Sequence, residues 1–279
     1  MRFQRFVRLQ NLFMDSLRYI VPGVLFYAVL DMFFKSFSFS VNDAILLFLI
    51  SAASAFLVAN RNVLAVIPSF FFASGSATFL LSIGQSFLQR YFILFSSFLF
   101  VVMLIGLSRF FTPEDARPQG EKIKLLDSGF NLNQAIVMFT IFFASSGIYG
   151  IYIITDMLPW QLMASMFIGI YGSSYYLIEI NYRKSQELAL HLDYVKNRAF
   201  RFYSFLSTLL MIELVWAMTY LPINHLTFGA IILIVFFSYW NIIRKHLRSE
   251  LTRKSLEANL IFILIATSLI LLTSRLYLN

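Results

Sequence analysis

Long runs of apolar residues, separated by short polar links, set the hydropathy pattern from one end of the chain to the other. Nine of these runs approach the roughly 20 residues that an α-helix needs to cross the hydrocarbon core of a bilayer. The pattern predicts an all-α fold, a polytopic transmembrane helix bundle that forms a single domain over residues 1–279. The nine spans are placed near residues 17–36, 42–60, 63–83, 91–111, 133–155, 158–180, 202–222, 225–243 and 259–277.

Two features of the ends and turns qualify this pattern. Residues 1–16 repeat arginine at spacing three, with Arg2, Arg5 and Arg8 on one side and phenylalanine on another, which predicts an interfacial amphipathic helix. The tight turn Asn60-Arg61-Asn62 leaves open a re-entrant pair in place of spans two and three, which would change the span count but not the later topology.

The links between spans differ sharply in positive charge. With the N-terminus in the cytoplasm, 19 of the 22 lysines and arginines fall on the cytoplasmic side, and the other three are Lys35, Arg90 and Arg275. Lysine and arginine accumulate in the cytoplasmic loops of membrane proteins. The sequence therefore predicts a cytoplasmic N-terminus, an outer C-terminus and a multi-pass location in the cytoplasmic (inner) membrane.

Composition supports a membrane class and narrows the partners. The chain is 59% hydrophobic and only 13% charged, whereas soluble domains are about 25% charged. The net charge of +8 is explained by the basic loops, so we expect contacts with membrane lipids, with anionic headgroups at the cytoplasmic face, and no nucleic acid. A membrane-protein partner is a further expectation, because the basic helices could also contact a protein.

Glu213 is the one acidic residue placed near the middle of a predicted span. A charged side chain there costs about 2.5–3.5 kcal/mol on insertion scales, so Glu213 is a candidate for ligand binding or proton coupling. Trp216 and Tyr220, at i+3 and i+7, carry the polar groups of its helical neighbours and join the candidate site. The alternative is a neutral Glu213 that hydrogen-bonds a neighbouring helix and only stabilises packing.

Small residues mark close helix packing in spans five and six. Ser146 and Gly150, like Gly169 and Ser173, are small residues four positions apart, a spacing that lets helix backbones approach closely. The simplest explanation is a tight hairpin of spans five and six; the alternative is a tyrosine-rich groove that receives a lipid or sugar headgroup.

Catalytic motifs are absent from the sequence. Cysteine does not occur, the three histidines are far apart, and phosphate-loop, zinc-protease and nucleophile-elbow motifs are missing. We expect no metal and no cofactor. Asp156 and His225, at the outer ends of spans, are the outer-face candidates that could join Glu213 in acid–base chemistry.

The segment Glu213-Leu214-Val215-Trp216-Ala217-Met218, which continues to Leu221-Pro222-Ile223-Asn224, resembles an uncharacterised family of multi-pass membrane proteins from candidate-phylum bacteria. The resemblance covers the last third of the chain. It implies a membrane protein and carries no known function.

Three functions remain open at this stage. The first is a non-enzymatic, permease-like or accessory subunit whose helix bundle binds a hydrophobic or lipid-like ligand. The second is an intramembrane enzyme that acts on a lipid-linked substrate with Glu213 and Asp156 or His225. The third is a structural subunit of a membrane complex. They differ in whether Glu213 opens onto a cavity, meets a second catalytic group, or meets neither.

Overall fold

The computed structural model describes residues 2–35, 41–84, 86–112, 122–155, 157–187, 197–247 and 250–275. Within these ranges every regular element is helical, which confirms the all-α prediction. The α-helices are α1 (Arg2–Lys35), α2 (Val41–Val58), α3 (Val66–Ser82), α4 (Ser86–Phe111), α5 (Lys122–Ile154), α6 (Pro159–Glu187), α7 (Asn197–Met218), α8 (His225–Leu247) and α9 (Arg253–Arg275).

Each predicted span coincides with one of these helices, but the membrane-crossing criterion is met by fewer of them. Among the described residues, seven helices are long and apolar enough to cross a membrane, which indicates a membrane protein. The described apolar part of α2, Asn42–Val58, is shorter, at 17 residues. Helix α6 is not among the seven, because Tyr171, Tyr175, Tyr176 and the Ser173-Ser174 pair lower its hydropathy.

The N-terminal segment is helical and continuous with the first span. Helix α1 begins at Arg2 and continues unbroken through Pro22 to Lys35. The interfacial position of residues 1–16, like the assignment of the whole chain to one domain, stays a prediction.

The chain divides into two compact units. Unit 1 comprises residues 1–73 and 85–133, and unit 2 comprises residues 74–84 and 134–279. Helices α3 and α5 contribute to both units, whereas α1, α2 and α4 lie in unit 1 and α6 to α9 lie in unit 2.

In unit 1, α1 packs against α2 and α4 around an aromatic core. The ring of Phe26 stacks on Phe100 with centroids 4.3 Å apart, and Phe72 lies 6.0 Å from Phe26. All three side chains are fully buried. Offset ring pairs of this kind contribute about 0.5–1.5 kcal/mol beyond their buried area.

The tight turn after α2 is held by polar groups from the neighbouring helices. Asn60 and Arg61 adopt φ values of 53° and 62°, and the side chain of Asn62 caps the short 3₁₀ turn at Val63–Ala65. The Arg18 guanidinium of α1 donates to the carbonyls of Leu57, at 2.7 Å, and Val58. These carbonyls belong to the last turn of α2, where helical partners are lacking.

In unit 2, α7 packs most extensively against α6, α8 packs against α7, and α9 packs against α8. Helix α9 is the most exposed element of this unit, since none of its most apolar 18-residue window is buried.

Candidate functional site

Helix α7, which carries the leading candidates, has two faces of opposite character. Its buried residues recur every three or four positions and are Ser204, Ser207, Thr208, Met211, Val215 and Met218. Its exposed residues include Phe202, Phe205, Leu209, Leu210, Glu213 and Trp216, and the exposed Tyr220 lies in the turn just after the helix. Glu213 and Trp216 therefore lie on the exposed face of α7, not on the face that packs in unit 2, and Tyr220 is exposed beside them.

Glu213 lies closer to the end of its helix than the sequence predicted. The predicted span continued to residue 222, but α7 ends at Met218, because the residue before a proline disfavours helical geometry and Pro222 follows. Glu213 is thus five residues, or about 7.5 Å at 1.5 Å per residue, from the end of the helix. The carboxylate sits in the last third of the apolar span Arg201–Met218.

Glu213 lacks the ion-pair partner that three other helical carboxylates have. Asp31 pairs with Lys35 at 2.6 Å, Glu179 with Arg183 at 3.1 Å, and Glu257 with Arg253 at 2.9 Å. Each is an i,i+4 pair within one helix. At these positions around Glu213 the chain has Leu209 and Ala217, and Glu213 makes no hydrogen bond or ion pair with any residue in the described ranges.

Trp216 and Tyr220 extend the exposed face beyond Glu213. Their rings meet edge to face, with centroids 5.4 Å apart at 89°, and the residues are 52% and 71% exposed. Tryptophan and tyrosine are enriched where a membrane meets water. The unpaired carboxylate of Glu213 therefore lies about one helical turn before the aromatic pair at the C-terminal end of α7.

The predicted acid–base constellation of Glu213 with the outer-face candidates stays a prediction, and no hydrogen bond joins Glu213 to His225 in the part of the chain that the structure describes. Asp156 lies outside the described residues. His225 begins α8, just after Asn224, whose side chain caps the helix by accepting from the Thr227 N–H at 2.7 Å. Over the described ranges, no group of three or more His, Cys, Asp or Glu residues is placed to hold a metal ion.

The small residues of α5 pack against α3 and α8. A Cβ at Gly147 would fall on the backbone of Phe79 and within 2.5 Å of the Thr78 carbonyl carbon, both in α3. A Cβ at Gly150 would collide with Ser82 and lie 3.5 Å from the His225 Cβ. These contacts belong to helices other than α6, so the hairpin of spans five and six does not account for them.

Ser146 and Gly229 make the closest approach in this region. A Cβ at Gly229 of α8 would coincide with the hydroxyl of Ser146 and lie 3.0 Å from the Phe142 carbonyl oxygen, both in α5. Glycine is required here because any side chain would push the two helices apart.

The second predicted small-residue pair is different. A Cβ at Gly169 would meet no atom within 4 Å, whereas Ser173 is buried, 4% exposed. Gly169 therefore lies beside open space within unit 2, and a side chain could be added there without a clash.

Two cavities of unit 2 were not predicted. A groove of about 430 Å³ is lined by Leu221, Pro222, Ile223, Ser268, Leu271, Leu272 and Ser274, from the α7–α8 turn and α9. A void of about 10 Å³ is lined by Ser174, Ile178, Ser207, Phe236, Tyr239, Trp240 and Ile243, from α6, α7 and α8. Neither is lined by Glu213 or His225. The stripe Ser204, Ser207, Thr208 was the available signal for the void, because a hydroxyl face in an apolar helix points toward protein.

Comparison with known proteins gives one match. Residues 187–273 match the model of a family described as a protein of unknown function (DUF5656). Neither a search of curated proteins nor one of solved structures finds a match. The matched segment includes α7, α8 and nearly all of α9, less than a third of the chain, and it contains Glu213, Trp216 and Tyr220.

Proposed function

We propose that this protein is a non-enzymatic accessory subunit of a membrane complex and that the exposed face of α7 binds its partner. We call Glu213, Trp216 and Tyr220 the α7 contact face. The observation that carries the proposal is the exposed, unpaired Glu213 within an apolar span. Intramembrane acids are costly and are satisfied by a partner group or by water.

We propose that the partner contributes a transmembrane helix with a lysine or arginine at the depth of Glu213, and the chemistry of the α7 contact face supports this choice. A cation neutralises the carboxylate, and the rings of Trp216 and Tyr220 add cation–π attraction within one or two turns. A second copy in the same orientation fits less well, because a two-fold axis along the membrane normal brings two Glu213 side chains to the same depth.

The permease and enzyme functions have no supporting contact at Glu213 among the described residues. A permease requires a cavity that reaches this carboxylate, and the two cavities of unit 2 described above do not include it. An enzyme requires an acid and a base that converge on one pocket, and His225 lies against α5 near Gly150, whereas Glu213 faces outward from α7.

Photo-crosslinking in the native membrane tests the partner. A benzoylphenylalanine at Leu210 on α7 should form an adduct with one protein whose crosslinked peptide, identified by mass spectrometry, is a transmembrane segment containing lysine or arginine. The same probe at Leu264, an exposed residue of α9, is the matched control and should give lipid adducts only. Lipid adducts alone at Leu210 would refute the accessory-subunit proposal, and an adduct with a second copy would refute the cationic partner.

We also propose nine spans in the cytoplasmic membrane, with the N-terminus inside and the C-terminus outside. The charge asymmetry of the loops supports this topology. The absence of cysteine makes it testable with single substitutions. In intact cells an impermeant maleimide should label Leu158→Cys and leave Arg253→Cys unlabelled until the membrane is permeabilised. The reverse pattern would invert the topology.

The groove beside α9 favours a second function, binding of a hydrophobic or lipid-like ligand. Its size lies in the range of about 300–1,000 Å³ that is common for small-molecule sites, and its lining is apolar except for two serines. Ser268→Trp should fill the groove and remove a lipid that co-purifies in native mass spectrometry, whereas Leu264→Trp, outside the groove, should not. Equal lipid retention in both variants would exclude this site.

A further inference from the structure

The void between α6, α7 and α8 is small and mostly apolar in its lining, but two of the seven residues that line it carry buried polar atoms without a hydrogen-bond partner among the described residues. Ser174 and Trp240, which line it, are 3% and 2% exposed. The Oγ of Ser174 and the Nε1 of Trp240 have no hydrogen-bond partner among the residues that the structure describes. Ser174 belongs to α6 and Trp240 belongs to α8.

A third polar group on the void comes from α7. Ser207 is 1% exposed, and its hydroxyl donates to the Tyr203 carbonyl oxygen at 2.6 Å. The Ser207 oxygen has donated its only proton but can still accept a hydrogen bond. The residues that line the void thus include an obligate donor, Trp240 Nε1, an acceptor, Ser207 Oγ, and a group that can do either, Ser174 Oγ.

We infer that this void binds one water molecule, which links α6, α7 and α8. Its volume of about 10 Å³ matches the roughly 10–15 Å³ that a single water requires, and a buried water needs two to four polar partners. The water accepts from Trp240 Nε1, donates to Ser207 Oγ, and bonds Ser174 Oγ. This site is independent of the α7 contact face, because Ser207 lies on the buried face of α7.

The alternative is an empty void in which Ser174 and Trp240 stay unsatisfied. The two cases predict opposite effects of removing a hydroxyl. With water bound, Ser174→Ala deletes a hydrogen bond and weakens the link between the helices. With no water, the same change removes an unpaired polar group from an apolar site and leaves stability equal or higher.

The test is thermal unfolding of the purified full chain in lipid nanodiscs. Ser174→Ala should lower Tm by about 2–4 °C. The matched control is Ser238→Ala, because Ser238 is fully buried on α8 with an equally unpartnered hydroxyl but does not line the void. That variant should keep or raise Tm. If Ser174→Ala behaves like Ser238→Ala, no water is bound.

A second measurement uses the unaltered protein and does not depend on variant folding. A cryo-electron microscopy map that resolves ordered solvent should show a density peak within hydrogen-bond distance of Trp240 Nε1 and Ser174 Oγ. A third measurement is a double-mutant cycle: Ser174→Ala combined with Trp240→Phe should lower Tm by less than the sum of the two single changes, because both remove the same water. An empty void in the map or strictly additive losses would overturn the inference.

Discussion

Helices α7 and α9 both expose one side in unit 2, and the two exposed sides have different chemistry. From residue 258 to Ser274, α9 contains no ionisable residue, and its exposed large side chains are Leu260, Ile261, Phe262, Leu264, Ile265, Leu269 and Leu272. The exposed side of α7 includes Glu213, five residues before the end of the apolar span. Leu269 occupies the equivalent position in α9 and is 58% exposed.

The difference separates a surface that lipid alone can satisfy from one that lipid cannot. Hydrocarbon chains solvate leucine and isoleucine but offer no hydrogen bond to a carboxylate. The exposed side of α9 is therefore compatible with lipid alone, whereas we propose that the α7 contact face binds a polar partner. This comparison is the physical basis of the accessory-subunit proposal.

The largest expected effect comes from reversing the charge of the α7 contact face. Glu213→Lys places a cation against the proposed cationic partner, and disrupting a buried charge pair costs about 2–5 kcal/mol. Recovery of the crosslinked partner in a pull-down should fall more than about tenfold. Glu213→Gln, which keeps the size and hydrogen-bonding capacity, should lose less. Undiminished recovery with Glu213→Lys would show that the carboxylate does not face a cation.

The sequence predicted the helices well because the length and hydropathy of an apolar run are local properties of the chain. A run of about 20 apolar residues determines a helix whatever surrounds it, and all nine runs coincide with helices in the described ranges. The orientation of each helix is not local. In α9, for example, protein-facing and lipid-facing sides are both apolar, so no periodicity distinguishes them.

Because helix orientation is not a local property, the sequence also predicted the candidate site only in part. The sequence identified Glu213 as unusual but not the face on which it lies, because Leu209, Leu210 and Leu214 surround it on all sides. The spacing of Ser146 and Gly150 shows that they share one side of α5, but spacing does not name the helix that contacts that side. Their neighbours, Gly229 and Ser82, are distant in sequence.

A smaller effect should follow from giving α9 the carboxylate that α7 has. Leu269→Glu places an acid at the depth of Glu213 on a side that we expect to contact lipid. A charge at the middle of a membrane helix costs about 2.5–3.5 kcal/mol of insertion free energy. The insertion cost of Leu269→Glu should be lower, because residue 269 lies near the end of the helix. Membrane-inserted protein should decrease, as measured by protease protection, with Leu269→Gln as the milder control. Normal insertion of Leu269→Glu would mean that lipid accepts a carboxylate at this depth, and Glu213 would then need no partner.

The smallest effects should come from the aromatic pair of the α7 contact face. Tyr220→Phe removes only a hydroxyl from a residue that is 71% exposed, and Trp216→Phe reduces ring size and cation–π strength. A cation–π contact contributes about 0.5–2 kcal/mol, so Trp216→Phe should weaken partner recovery by a few-fold and leave membrane insertion unchanged. Leu260→Ala on α9, an exposed residue outside the groove, is the matched control and should change neither. Because interfacial anchoring and partner binding both use tryptophan, the insertion assay separates them. A loss of insertion with normal partner recovery would assign Trp216 to the membrane interface, whereas a loss of recovery alone assigns it to the partner.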